Sequence, residues 1–339
     1  MDLSERKKNI LKAVINENIK TAEPVSSSEL QKEYLSDVSS ATIRNELAAL
    51  EEMGFLVQPH TSSGRVPTLE GYKKYIAELM TEQKLTKSES EQIKKTFEGR
   101  VSSVSDIIEK TASVISEASN YASIVSLGIT DYAEINSFKL VEIDDSNILV
   151  LVKTDIGTIK EIISCENITI EDINSASAFM SSKLVGKSLK QATEIIDSLP
   201  QELVKYKNLF EAIIEVITDK SDRENMAVAG KEKLLDYPEY QDLGKFKSTL
   251  KDLNSKQSLR SLINDDDDLE ISIKLGDGEK LDYSVVTAKY KIGGKVAGTA
   301  SVLGPVRMDY SKVVSILKNV TSRLEENING QAKKGDKDE

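Results

Sequence analysis

At 339 residues, with 39% hydrophobic residues, 5% aromatics and no Trp, the chain is long enough for two or three domains and ordinary in apolar content for a globular protein. A single cysteine, Cys165, excludes an intramolecular disulfide and a multi-cysteine zinc site. No apolar run approaches the ~20 residues of a membrane span, and MDLSERKKNI carries no apolar h-region, so no signal peptide and a cytoplasmic location are expected.

The net charge of −11 excludes a protein coated in basic surface. Residues 1–87 hold 12 Lys+Arg against 13 Asp+Glu, and the remainder holds 33 against 43, so the acidity is concentrated beyond residue 87. An N-terminal segment this close to neutral binds nucleic acid only through a few well-placed groups, helped by a dimer that doubles them.

Taken in order, residues 4–18 predict a first helix, with Ile10/Val14 and Leu11/Ile15 as apolar pairs four residues apart. Ser26 with Glu29 reads as a capping box that opens a short second helix at Ser27. After a turn at Leu35–Val38, a third helix runs from Ser40 to Met53, capped by Ser39 and stopped by Gly54; Ile43, Leu47, Leu50 and Met53 share its inner face. Phe55-Leu56-Val57 has strand character, and Pro59, Gly64 and Pro67 bracket a polar loop. Three helices with a tight turn between the second and third, followed by a hairpin, are the order of a winged helix-turn-helix.

Thr68 predicts the cap of a fourth helix, and a long helix is expected over 89–119. Strand patterns follow at 123–129, 134–143, 147–153 and 159–164, helical ones at 175–184, 190–198, 201–219, 231–235 and 245–264, then strands at 269–275, 283–292 and 295–302. Asp309 caps a last helix, and the tail GQAKKGDKDE is expected to be disordered. Strands, then a mostly helical stretch, then strands again predict an α+β domain interrupted by a helical insertion.

The outward face of the third helix is unusual for a plain surface helix. Ala41 and Ala48 permit close approach, and Thr42, Arg44 and Asn45 can bond a base edge or a phosphate. The plain alternative pairs Arg44 with Glu51 or Glu52 and leaves Asn45 solvated. The surrounding element order favours DNA: Arg44 and Asn45 on major-groove edges or flanking phosphates, and Ser39, Ser40 and Thr42 on phosphate at the helix N-terminus. In the hairpin loop, His60, Thr61, Ser62, Ser63 and Arg65 are read as contacting phosphate or the minor groove, against a plain Gly/Pro loop with hydroxyls solvating its tip.

No catalytic set emerges. His60 is the only histidine, G-x-S-x-G, Walker A and G-x-G-x-x-G patterns are missing, and Asp265–Asp268 lack EF-hand spacing; no metal and no cofactor are expected. Cys165 reads as a small buried hydrophobe at a strand end. Arg307, in GPVRM, is read as packing domains together rather than holding an anion.

SSATIRNELAALEEMGFLVQPHTSSGRVPTLEGYKKYI near the start, VTAKYKIGGKVAGTASVLGPVRMDYSKVV at 286–314 and AGKEKLLDYPEYQDL at 229–243 together resemble the heat-inducible transcription repressor family HrcA. The resemblance implies an α+β, multidomain chain. It comprises a winged-helix DNA-binding domain (1–80), a GAF-like domain in two parts (81–166, with a linker helix, and 245–328), an inserted dimerisation domain (167–244) and a tail (329–339). It further implies a homodimer on double-stranded DNA at an inverted-repeat operator (CIRCE) upstream of chaperone operons, with a GroEL-type chaperonin keeping the repressor active and no membrane partner. The alternative is a regulator whose GAF-like domain senses a metabolite.

Overall fold

The computed structural model describes residues 3–60, 64–97, 104–128, 133–154, 157–165, 168–198, 207–218, 224–263, 269–277, 281–292 and 294–335. Ser4 caps α1 (Glu5–Thr21), and Ala22 in the left-handed conformation ends it. The predicted capping box of Ser26 and Glu29 opens α2 (Ser27–Glu33), and Ser39 caps α3 (Ser40–Glu52). Two short strands, β1 (Leu56–Val57) and β2 (Val66–Pro67), pair antiparallel. Thr68 caps α4 (Leu69–Lys74), which continues through a wider turn to Leu79. Its Gly71 is packed so tightly on the Phe55 carbonyl that an added Cβ would lie 2.3 Å from that oxygen.

Next come α5 (Lys87–Phe97) and α6 (Val104–Ser119); the single helix expected over 89–119 is described as these two, with 98–103 outside the described residues. A five-stranded antiparallel sheet follows in the order β7-β3-β10-β9-β8, built from β3 (Ala122–Gly128), β7 (Glu224–Ala229), β8 (Ile271–Lys274), β9 (Ser284–Ile292) and β10 (Lys295–Gly304). One face packs on α6 and on α12 (Tyr310–Gly335), which continues as helix through residues 330–335 of the tail expected to be disordered, with 336–339 outside the described residues. The other is covered by turns of tighter helix at 231–240, by α10 (Leu243–Asn254) and by α11 (Lys256–Ile263). These last two replace the single helix expected over 245–264.

Between β3 and β7 the chain leaves the sheet. A second, three-stranded antiparallel sheet, β4 (Ile135–Asp144), β5 (Asn147–Thr154) and β6 (Gly157–Ser164), packs on α7 (Ile170–Leu184), α8 (Leu189–Asp197) and α9 (Lys207–Thr218). The architecture is α+β with an insertion, but the insertion is larger and starts earlier than expected. Residues 134–164 do not extend the main sheet. Alternate residues Phe138, Leu140, Ile148, Val150, Val152, Ile159 and Ile163 face the inserted helices and form one cluster with Ile173, Met180 and Ile213. At the other border, β7 pairs with β3 where only helical pattern was expected, so the main sheet resumes near 224 rather than 269.

Candidate nucleic-acid interface

Helix α3 is amphipathic in the expected sense. Ile43, Leu47 and Leu50 are buried against α1 and α2, while Ala41, Arg44 and Asn45 are exposed. Its start is locked in place. The Ser39 hydroxyl accepts the Thr42 N–H at 3.1 Å and sits 2.8 Å from the Thr42 hydroxyl. Ser40 lies 3.0 Å from the Ser27 hydroxyl at the start of α2. These three side chains therefore fix how α3 leaves the turn. At the other end of that turn, Tyr34 donates to Glu17 at 2.6 Å and accepts from Lys20 at 2.7 Å. Burial and the Glu17 hydrogen bond hold the Tyr34 hydroxyl above its ordinary pKa.

Lys7 on α1 neutralises Glu46 of α3 at 2.7 Å, with Arg6 at 4.0 Å from the same carboxylate. The side chains of Arg44 and Asn45, inside α3, make no ion pair or hydrogen bond among the described residues. Among the described residues neither pairing of Arg44 considered above, with Glu51 or with Glu52, is formed; Glu51 is held by Arg65, 2.8 Å away. The outer face of α3 thus presents one free guanidinium and one free amide between small side chains.

The hairpin is braced more firmly than its two-residue strands would suggest. Arg65 exchanges both backbone hydrogen bonds with Val25 at 2.9 Å. Gly64 has room for no side chain, since a Cβ would lie 2.4 Å from the Val25 carbonyl. His60 is exposed, while Thr61, Ser62 and Ser63 lie outside the described residues. The placement of Arg65 departs from expectation. Its side chain is only 18% exposed and turns onto α3 rather than out along the loop, because the Glu51 carboxylate offers a charged partner there.

The N-terminal helices are joined to the sheet by polar contacts that sequence alone did not reveal. Arg307, in the turn after β10, reaches Glu239 with two nitrogens, at 2.5 and 3.2 Å, and donates a third hydrogen bond at 2.9 Å to the Ile19 carbonyl in the last turn of α1. Its guanidinium lies over the Tyr237 ring, 5.6 Å from the centroid. Buried Tyr72 donates to Asn18 at 3.0 Å and meets the Tyr310 ring edge-on; burial pushes its hydroxyl far above its ordinary pKa. Arg307 therefore packs domains, as expected. The signal for its partner lay in LLDYPEYQDL, but nothing in the sequence pairs Glu239 with Arg307.

Elsewhere an open cleft of about 510 Å³ runs between β6 and α9, lined by Thr158–Ser164, Ala212, Glu215 and Val216. It lies on the insertion and not on the five-stranded sheet. Among the described residues no group of His, Cys, Asp or Glu is placed to hold a metal, and no helix is long and apolar enough to cross a membrane. Cys165 is buried at the end of β6, where burial raises its thiol pKa.

The family model for the HrcA protein C terminal domain matches residues 105–314, and the heat-inducible transcription repressor HrcA of Clostridium botulinum (strain Alaska E43 / Type E3) is 36% identical over 98% of this chain and 100% of its own. The chain belongs to the HrcA family. The HrcA of Desulforudis audaxviator is likewise 36% identical, over 96% of this chain and 97% of its own, and that of Pelotomaculum thermopropionicum is 34% identical over 97% and 99%. HrcA is a family of heat-inducible transcription repressors, so this chain is a transcription regulator and not an enzyme. A crystal structure of a hypothetical protein shares the fold, with a TM-score of 0.59 at 21% identity over 97% of this chain and 98% of that one.

Proposed function

We propose that the chain represses chaperone operons as a homodimer. In this reading residues 3–79 form a winged helix-turn-helix with α3 as its recognition helix. The five-stranded sheet and its flanking helices form the GAF-like domain, and the insertion carries dimer contacts. The observation that carries the reading is the outer face of α3, where Arg44 and Asn45 are exposed and unpaired between Ala41 and Ala48, beside a braced hairpin. Arg44 and Asn45 meet major-groove edges. Ser39, Ser40 and Thr42 aim the start of α3 at a phosphate, and the loop bearing His60, Thr61, Ser62 and Ser63 follows the backbone beside it.

A near-neutral reading head gains little from bulk electrostatics. Two heads on the two halves of an inverted repeat, the CIRCE operator, supply the remaining affinity through the dimer. A GroEL-type chaperonin maintains the active conformation. Denatured clients that occupy it during stress leave the repressor inactive, and the chaperone genes are expressed.

Selection of the organism's genomic fragments on the purified chain should recover an inverted repeat upstream of chaperone operons. Arg44→Ala should weaken binding to that repeat by about 1–3 kcal/mol, the cost of a lost base contact. Unchanged affinity in folded Arg44→Ala and Asn45→Ala chains would remove α3 as the reading element. Added chaperonin should raise the operator-bound fraction of partly inactive repressor, and no rise would remove that limb.

A further inference from the structure

The hairpin beside α3 is a problem in orientation. Its ladder has two register pairs, Leu56↔Pro67 and Val57↔Val66. Two pairs are too few to set the direction of a loop on their own. The next pair in that register would join Gln58 to Arg65, the rung where the strands open into the loop. There a side chain takes over from the backbone. One oxygen of Glu51 accepts the Gln58 N–H at 3.1 Å, and the other meets Nη2 of Arg65 at 2.8 Å. A single carboxylate in the last turn of α3 thus holds both strands at the rung beyond the ladder. Val25 holds the outer edge of Arg65 through its backbone.

We infer that Glu51 and Arg65 form a brace that sets the hairpin loop against the reading face of α3, so that Arg65 is a positioning residue acting through Glu51 and not a phosphate ligand. The inference rests on the proposed DNA reading of α3. Three features favour it. The Arg65 side chain is 18% exposed, and its Nε is buried with no hydrogen-bond partner among the described residues, so the guanidinium is sunk in the fold rather than offered to solvent. A phosphate drawn to Arg65 would approach the Glu51 carboxylate as well, and the like charges repel. Turning Arg65 outward would also strand Glu51, which is 32% exposed, without its cation.

The test is a double-mutant cycle on the full chain. Binding of a labelled duplex carrying the inverted repeat is measured by anisotropy over a series of salt concentrations, with cooperative melting confirmed for each variant. Glu51→Gln keeps an acceptor for Gln58 but removes the charge; Arg65→Ala removes its partner. Each single variant should weaken binding about tenfold, and the double variant no more than about twofold beyond either, because one interaction is lost once. The slope of log affinity against log salt should be the same in all of them. The inference is overturned if the two losses multiply, if neither variant weakens binding, or if Arg65→Ala flattens the salt slope by about 1.8, as loss of one phosphate contact from each of two subunits does. Arg65→Gln, which removes the charge that meets Glu51 and keeps most of the side chain, closes the cycle if Arg65→Ala does not fold. Failure of the unmodified chain to bind any such duplex would sink the DNA reading itself, whereas multiplied losses sink the brace alone.

Discussion

The N-terminal helices and the five-stranded sheet share one hydrophobic cluster, in which Ile15, Leu47 and Tyr72 of the first region belong with Val125, Tyr310 and Ile316 of the second. The insertion keeps a cluster of its own, around Phe138, Val150, Met180 and Ile213. Yet β3 and β7, the strands that flank the insertion in sequence, are hydrogen-bonded neighbours in the main sheet, so the insertion leaves and returns at adjacent points. The difference separates two kinds of mechanical coupling. A change in the sheet or in α12 reaches α3 through packed side chains, whereas a change inside the insertion stays in its own core. In the proposed repressor, the insertion can therefore fix the spacing of two subunits while the reading heads answer to the state of the sheet.

Cavities placed in the two clusters test that separation most severely. Ile213 and Ile316 are both fully buried. Ile213→Ala and Ile316→Ala should each cost about 2–5 kcal/mol, the usual range for such truncations. In chemical denaturation followed by amide exchange, Ile213→Ala should lower the stability of β4–β6 and α7–α9 alone. Ile316→Ala should loosen the main sheet and α1–α4 together. Identical shifts in both regions from either variant would break the comparison.

A smaller effect is expected at the polar tie. Arg307→Ala removes two contacts to Glu239 and one to the Ile19 carbonyl. With Glu239 one-third exposed, the loss should be about 2 kcal/mol, below the range for a fully buried pair. Amide exchange should accelerate in the last turn of α1 and leave α7–α9 unchanged. Unaltered protection at Asn18–Ala22 would show that Arg307 does not tie α1 to the sheet.

What could be read from the sequence follows the range of the interactions involved. Caps and short-period patterns act within a few residues, so Ser26/Glu29, Ser39, Thr68 and the inner face of α3 were all legible. The strands at 134–164 were legible as strands, but not their membership. Which sheet a strand joins is decided by partners far along the chain, and both sheets offer the same alternation. The missed strand β7, ENMAVA, has partly exposed residues at an edge of the sheet and so lacks a strong apolar signature. Polar pairs fared worst. Glu51–Arg65 spans the hairpin, and Arg307–Ile19 joins opposite ends of the chain. A chain this rich in charge offers each arginine many acids, and sequence spacing does not choose among them.

The smallest expected effect concerns acid, and it separates the same two regions. Glu89 caps α5 by accepting from the Thr86 N–H and the Thr86 hydroxyl, both at 2.9 Å, and Lys312 of α12 lies 2.9 Å from its other oxygen. The Thr86 backbone hydrogen bond, then Lys312 and the Thr86 hydroxyl, pull its carboxyl down to about 2. Folding thus favours the charged form. The stabilisation is complete above the ordinary glutamate pKa of about 4.3 and is lost as pH falls from there toward 2. Glu89 and Lys312 are both partly exposed, so solvent screening holds the effect below about 1 kcal/mol. Urea midpoints at pH 6 and pH 3 should show the fall in the transition of the main sheet and α1–α5. Glu89→Gln should shrink that fall without altering the acid response of the insertion, and an equal fall in the variant would place the acid-labile contact elsewhere.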